Sequence, residues 1–431
     1  MPTKKQSVSR TQPSLPNVPP PEMGAGKKPA PNPTSKPTDN KKARIVVIIF
    51  VVLIPIFLAT SLRSEKSFDA RFLDFATYWQ AGHMILLGQD VYNSQAWLTE
   101  RSLHGTALHS EPTFQYPLAL AILMAPLGLL SVEHAFILWM LIGEISIFIS
   151  LFVLFSFYPK RSMIFEILVI VSVFVFRPTF FVIFSGQILA EILLFITLSS
   201  YVFSKEKWLY GGLIASLTTL KPSLGVPFLI LLSIWLISKK RWKSITGIVA
   251  GGIILWGIGA IYNSHWVNEF LKTGSYILDK YIGMQTTVWG LSGLIIKASN
   301  WRVATGFVGI CIVLAITGYF VFNNKTKDNP FLQIATLIPT TLLIAPYSWN
   351  YDQFLLIIPI FYILLILSST HGDMKAALFS LSIISFTIFI FLIASILGHD
   401  VWSVLVSGLI WILMLLIPRS LAEKLAFFGV W

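Results

Sequence analysis

The chain has 431 residues, of which 55% are hydrophobic and 12% charged, and its mean hydropathy is +0.74. Soluble globular proteins carry about 25% charged residues, so this composition excludes an ordinary soluble domain and indicates a polytopic membrane protein. The formal net charge is +12, and the single Cys311 cannot form an internal disulfide.

The N-terminal segment, residues 1–44, differs in composition from the rest of the chain. It holds nine Lys and Arg residues against Glu22 and Asp39, and ten of the 23 prolines. A segment of this kind cannot bury a core, so we predict a disordered cytoplasmic tail. The tail lacks interleaved aromatic residues, which favours contact with anionic lipid headgroups over nucleic acid as its partner.

The apolar runs of the remaining chain predict about twelve membrane-spanning helices, since a span takes roughly 20 residues. The predicted spans are 45–61, 135–157, 162–178, 188–203, 208–220, 223–238, 244–262, 302–322, 331–345, 351–369, 376–397 and 400–418. Loops rich in Lys and Arg then fall on one side, which by the positive-inside rule places both termini in the cytoplasm. This arrangement requires that residues 116–131, broken by Pro126, do not span the membrane.

The loop between the first span and residue 116 is the large extracytoplasmic one. It contains a predicted amphipathic helix that begins at Asp74, carries Tyr78 and Trp79, and ends at Gly88. Asp74 fits either a helix N-cap or a general base that takes a proton from a sugar hydroxyl. Tyr78 and Trp79 fit either a sugar-binding surface or interfacial anchors. The other acids of this loop are Asp69, Asp90, Glu100 and Glu111.

Two cations lie within or beside the predicted spans. Lys221 stands between two apolar runs, where an ammonium group costs about 2.5–3.5 kcal/mol to insert and therefore needs an anionic partner. That partner is either a lipid phosphate or a buried acid. Arg177, just before Pro178, is a second candidate for binding phosphate, or an interfacial arginine.

Further polar residues cluster between later spans. Trp349, Asn350, Tyr351 and Asp352 follow one another, and this mixture of aromatic and short polar side chains is typical of a sugar-binding site. The alternative is an interfacial turn with Asp352 as a helix cap. Gln187, after Gly186, is a weaker candidate of the same kind. No zinc-binding, phosphate-loop or serine-hydrolase motif is present, so neither a metal nor a soluble nucleotide donor is expected.

Five segments together resemble the polyprenol-phosphate-mannose-dependent mannosyltransferases of glycosyltransferase family 87. They are Asp74 to Tyr92, Phe114 to Leu130, Gly186 and Gln187, Leu220 to Pro222, and Ala345 to Asp352. The resemblance implies the GT-C fold for a catalytic domain at 45–420, followed by a short cytoplasmic end at 421–431. It also implies an inverting, metal-independent and cofactor-free transfer of mannose from a polyprenyl-phosphate donor, with Asp74 as the base.

The sequence departs from the family pattern at Leu118, Leu189 and Tyr351, where members often carry Pro, Asn and His. These departures leave the sugar open. The expected acceptor is a glycolipid or glycan, and the expected location is a bacterial plasma membrane with the active site on the extracytoplasmic side. The oligomeric state is open. A transporter or flippase of polyprenyl-linked sugars and a lipid-linked oligosaccharide ligase or polymerase are the alternative functions.

Overall fold

The computed structural model describes residues 70–106, 111–158, 162–281, 283–296, 299–322 and 329–417. Across these residues the regular structure consists of 17 α-helices and five 3₁₀ helices, without a strand. This confirms the all-α prediction for the described part of the chain. The predicted tail at 1–44, the first span at 45–61 and the C-terminal end at 421–431 lie outside the described residues.

The α-helices are α1 (Asp74–Leu86), α2 (Ser94–His104), α3 (Leu118–Met124), α4 (Val132–Ser156), α5 (Met163–Val175), α6 (Arg177–Ser185), α7 (Leu189–Ser204), α8 (Trp208–Ser216), α9 (Pro222–Ser238), α10 (Trp242–Tyr262), α11 (Trp266–Tyr281), α12 (Val288–Ile295), α13 (Ser299–Phe322), α14 (Pro330–Ile344), α15 (Ile357–His371), α16 (Asp373–Leu397) and α17 (Val404–Leu416). The 3₁₀ helices are Ala70–Phe72, Leu127–Leu129, Leu217–Leu220, Asn350–Leu356 and Asp400–Ser403.

Five described helical stretches are long and apolar enough to cross a membrane. They are α4, α10, Trp301–Phe322 within α13, Asn350–His371 and α16. Five further apolar helices have only 10–17 residues, fewer than the roughly 20 that a straight span needs. The chain is therefore a membrane protein with several spans, and the count of about twelve remains a prediction.

The predicted span 162–178 is bent in the structure. Helices α5 and α6 are long and apolar enough to cross a membrane only when taken together, and the chain bends by 59° between them. Phe176 between them is extended (φ −64°, ψ 115°), and Pro178 lies in the first turn of α6. Proline has no N–H to continue the hydrogen bonds of α5 but fits the first turn of a new helix, so the chain changes direction here.

The predicted helix that follows the first span is present as α1, and it packs against the segment predicted not to span. That segment forms only α3 and the 3₁₀ helix Leu127–Leu129. A Cβ atom on Gly82 would lie 2.4 Å from the carbonyl oxygen of Met124, and one on Gly128 would lie 2.6 Å from the backbone nitrogen of His83. The two backbones therefore approach as closely as glycine allows.

Residues 263–301, predicted only as an extracytoplasmic segment, contain α11 and α12. Trp266 at the start of α11 is fully buried, and its ring lies 5.1 Å from that of Trp256 in α10. Leu271 and Tyr276 on the same helix are exposed. This helix, with buried and exposed residues, forms part of the wall of a cavity.

Candidate active site

A cavity of about 760 Å³ opens where the first turn of α1, residues 111–116, the start of α9, the helix α11 and residues 346–351 meet. Its walls are mostly apolar, with Val226, Pro227, Leu271, Ile277 and Leu278 from α9 and α11. The charged, polar and aromatic side chains that line it are Asp74, Thr77, Glu111, Gln115, Tyr116, Lys221, Ser223, Trp256, Phe270, Ser275, Tyr281, Tyr347, Trp349 and Tyr351.

Asp74 lies at the cavity as the first residue of α1. The N-cap position belongs to Leu73, so the interpretation of Asp74 as the cap is wrong. Oδ2 of Asp74 accepts a hydrogen bond of 2.5 Å from Nε2 of Gln187. The carboxylate also lies at the positive end of the helix dipole, which stabilises its charge.

Gln187 is placed by the end of α6. Gly186 closes that helix with a left-handed φ of +67°, and a Cβ atom there would lie 2.7 Å from Cβ of Phe75 in α1. Glycine is the one residue that meets both conditions without strain. Gln187 follows with only 2% of its surface exposed and reaches Asp74 across the junction of α1 and α6.

Two tyrosines extend this hydrogen-bonded chain. The hydroxyl of Tyr78 lies 3.1 Å from Oε1 of Gln187 and 3.1 Å from the hydroxyl of Tyr116. A hydroxyl has one proton, and Oε1 can only accept, so Tyr78 donates to Gln187 and Tyr116 donates to Tyr78. Burial raises the pKa of both tyrosines above the usual value of 10.0, which keeps both protons in place. The chain of donors therefore ends on the Asp74 carboxylate.

Lys221 lines the cavity and has a buried acid as its partner. Its Nζ lies 2.5 Å from Oδ1 of Asp352, and both side chains are almost completely buried. Oδ2 of Asp352 accepts a hydrogen bond of 2.8 Å from the backbone N–H of Trp349. Nζ also lies 4.9 Å from the ring centre of Tyr351, within the range of a cation–π contact. The buried acid weighed as a partner for Lys221 is therefore Asp352.

Aromatic side chains also line the cavity. Nε1 of Trp349 donates to the hydroxyl of Tyr347 at 2.5 Å, and the Trp349 and Tyr281 ring centres are 5.6 Å apart. The Tyr281 hydroxyl donates to Oε1 of Glu111 at 2.5 Å, and Lys280 binds the same oxygen at 3.1 Å. Sequence analysis did not single out Tyr116, Tyr281 and Tyr347 as site residues. Tyr116 and Tyr347 lie in segments that resemble the family, whereas the only signal for Tyr281 was its place in a segment predicted to be extracytoplasmic.

Several predicted residues lie away from the cavity. Asp352 is fully buried behind Lys221, and Asn350 begins the 3₁₀ helix without reaching the cavity. Nε1 of Trp79 donates to the backbone oxygen of Leu130 at 3.0 Å, and this ring also does not line the cavity. The burial of Tyr78 and Trp79 within the protein does not fit the interfacial-anchor alternative.

The guanidinium group of Arg177 also lies away from the cavity. It packs 4.3 Å from the ring centre of Phe181 and 3.2 Å from that of Phe391. These cation–π contacts join α6 to α16. This placement gives no support to the prediction that Arg177 binds the donor phosphate in the cavity.

The other acids of the first loop separate in the structure. Asp69 lies outside the described residues, Asp90 contacts the backbone of Tyr92, and Glu111 lines the cavity. Glu100 lies with His83 and His104 in a group whose ligand atoms are within 4.8 Å of one another, away from the cavity. No sequence motif marks this group, because its members come from two helices.

The sequence model of glycosyltransferase family 87 matches residues 114–346, more than half of the chain. The matched range includes Tyr116, Gln187 and Lys221, whereas Asp74 precedes it and Asp352 follows it. In comparisons with curated proteins and with solved structures, nothing matched.

Proposed function

The chain belongs to glycosyltransferase family 87, and on that premise we propose that it transfers a sugar from a polyprenyl-phosphate donor to a hydroxyl of a glycolipid or glycan. Mannose is the proposed sugar, and the reaction inverts the anomeric configuration. The observation that carries the proposal is the meeting of Asp74, a carboxylate, and Lys221, a cation, at one largely apolar cavity of about 760 Å³. The proposed location is the outer face of a bacterial plasma membrane, with both termini cytoplasmic.

Asp74 is the proposed general base. The acceptor oxygen attacks the anomeric carbon, the bond from that carbon to the phosphate oxygen breaks, and the hydroxyl proton passes to the Asp74 carboxylate. The products are the glycosylated acceptor and the polyprenyl phosphate. The hydrogen bond from Gln187 supports this role because it holds the Asp74 carboxylate in a fixed orientation at the cavity.

Glu111 is the second carboxylate of the cavity, and the structure gives a reason to rank it below Asp74. Its Oε1 accepts from both Tyr281 and Lys280. These two contacts anchor the Glu111 carboxylate to the cavity wall. We therefore propose that Glu111 holds Tyr281 in the cavity wall rather than accepting the proton.

Lys221 is the proposed ligand of the donor phosphate. An ammonium group has three N–H donors, and Asp352 accepts one of them, which leaves two for phosphate oxygens. Fixed donors of this kind stabilise the negative charge that builds on the leaving phosphate. The apolar walls from α9 and α11 suit the first isoprene units of the donor, and the aromatic wall at Tyr281, Tyr347 and Trp349 suits a sugar ring.

The test is a transfer assay with the purified full-length protein in lipid nanodiscs. Polyprenyl-phosphate mannose, other polyprenyl-phosphate sugars and nucleotide sugars are offered with a glycolipid extract. We expect transfer from polyprenyl-phosphate donors and none from nucleotide sugars. Asp74→Asn should lower kcat by about 10²–10⁴-fold, the usual contribution of a general base.

Asp279→Asn is the matched control, because Asp279 is an exposed carboxylate on α11 that does not line the cavity. It should retain wild-type activity. Near-normal turnover by Asp74→Asn would refute the assignment of the base. In sealed proteoliposomes given acceptor, movement of the donor across the membrane by the wild type without any product would favour a flippase instead.

A further inference from the structure

A cluster of two histidines and one glutamate lies outside the candidate active site. His83 comes from α1, and Glu100 and His104 come from α2 with the i, i+4 spacing that puts both on one helix face. Oε1 of Glu100 lies 3.5 Å from Nε2 of His83 and 2.9 Å from Nε2 of His104. None of the three residues lines the cavity at Asp74.

The backbone fixes which nitrogen of His83 faces the cluster. Nδ1 of His83 lies 2.9 Å from the carbonyl oxygen of Gly128, and this oxygen can only accept, so Nδ1 carries a proton. A neutral His83 then turns the lone pair of Nε2 towards the carboxylate oxygen of Glu100. Two acceptors facing each other at 3.5 Å repel unless a proton or a cation lies between them.

The same hydrogen bond is the usual outer support of a metal-binding histidine, because it sets the tautomer and the orientation of the ring. Trp79 adds a second restraint: its ring lies parallel to that of His83, with ring centres 5.3 Å apart and an angle of 9°. The ring of His83 is therefore held in place before any ion arrives.

The two distances from Glu100 to the histidines are close to those of a metal site, and all three ligand atoms lie within 4.8 Å of one another. Zinc binds imidazole nitrogen and carboxylate oxygen at about 2.0–2.2 Å, so tetrahedral ligand atoms are roughly 3.4 Å apart. The observed separations of 3.5 Å and 2.9 Å lie on either side of that value. The Glu100 side chain is 4% exposed, whereas those of His83 and His104 are 25% and 35% exposed, so the cluster is reached from solvent on the histidine side.

We propose that His83, Glu100 and His104 bind one divalent transition-metal ion, and that this ion joins α2 to α1. Two imidazoles and one carboxylate favour zinc among such ions, with a water molecule in the fourth position. The site serves stability rather than transfer chemistry, because it holds the loop helix that begins with Asp74 and lies outside the cavity.

The test uses the full-length protein purified through a tag without histidines. The protein is dialysed against a chelator, loaded with zinc, and its metal content and thermal unfolding are measured. We expect one zinc per chain and a higher Tm with zinc than with chelator. His104→Ala and Glu100→Gln should each weaken zinc binding more than about 100-fold, beyond the usual cost of losing an outer hydrogen-bond partner, and abolish the Tm shift.

His265→Ala is the matched control, since His265 is exposed and lies on another loop. It should bind zinc like the wild type. X-ray absorption at the zinc edge of the wild-type protein counts imidazole ligands without relying on any variant, and two are expected. Failure of the wild type to take up zinc, equal uptake by His104→Ala and Glu100→Gln, or fewer than two imidazoles at the metal would each overturn the proposal.

Discussion

The buried ion pair between Lys221 and Asp352 allows stability and function to be separated at one position. At 2.5 Å and an effective dielectric constant of about 20, the Coulomb attraction is roughly 7 kcal/mol. Desolvation of two nearly unexposed charges offsets much of this, at several kcal/mol per ion. The intact pair therefore contributes little net stability, whereas one partner left alone is costly.

Each single variant should accordingly be destabilised. Lys221→Met leaves the Asp352 carboxylate with the Trp349 N–H, and Asp352→Asn leaves an ammonium group without its counter-ion. We expect each to lose about 3–5 kcal/mol of unfolding free energy. The double variant removes both charges, leaves neither unpaired, and should therefore cost less than either single variant.

The assay is denaturation in mixed micelles followed by tryptophan fluorescence, with transfer activity measured on the same samples. Lys272→Met, an exposed lysine on α11, is the control and should change stability by less than about 0.5 kcal/mol. Additive effects of the two single variants would refute the coupling of the buried pair. If Lys221 binds the donor phosphate, the double variant should be folded and about 10²–10³-fold slower. A folded double variant with wild-type transfer rates would remove Lys221 from the mechanism.

Three further predictions concern the base, the packing of α1 and the topology. Gln187→Ala should lower kcat by about 10–100-fold and leave the affinity for the donor unchanged. The reason is that a hydrogen bond to a charged group contributes about 1.5–3 kcal/mol, and an unchanged kcat would contradict the positioning role. Gly82→Ala should destabilise the protein by about 1–3 kcal/mol in the same denaturation assay, whereas Gly252→Ala, which has open space around its Cβ position, should be nearly neutral. In a Cys311→Ser background, cysteine at the exposed Leu87 should react with an impermeant maleimide on intact cells, and cysteine at Lys239 only after permeabilisation; the reverse pattern would invert the topology.

The sequence by itself was sufficient for the features that depend on local composition. Hydropathy indicated the membrane class, and most predicted spans correspond to helices. The reason is that the length and apolar composition of a single segment are enough to predict a membrane helix. The helix beginning at Asp74 and the short Pro-containing segment before Val132 were also predictable from local pattern. Asp74 and Lys221 were found because charged residues are rare in such a chain.

Only the tertiary structure decided which polar groups meet. Lys221 finds its counter-ion 131 residues away, and Asp74 finds its donor 113 residues away. Asp352 therefore pairs with Lys221 and caps its own 3₁₀ helix through the Trp349 N–H, and His83 faces Glu100 and His104 across two helices. The physical reason is that hydropathy and helix pattern depend on one segment of the chain alone. The partner of a buried polar group depends instead on which helices pack side by side, and here close packing at Gly82 and Gly186 brings distant segments into contact.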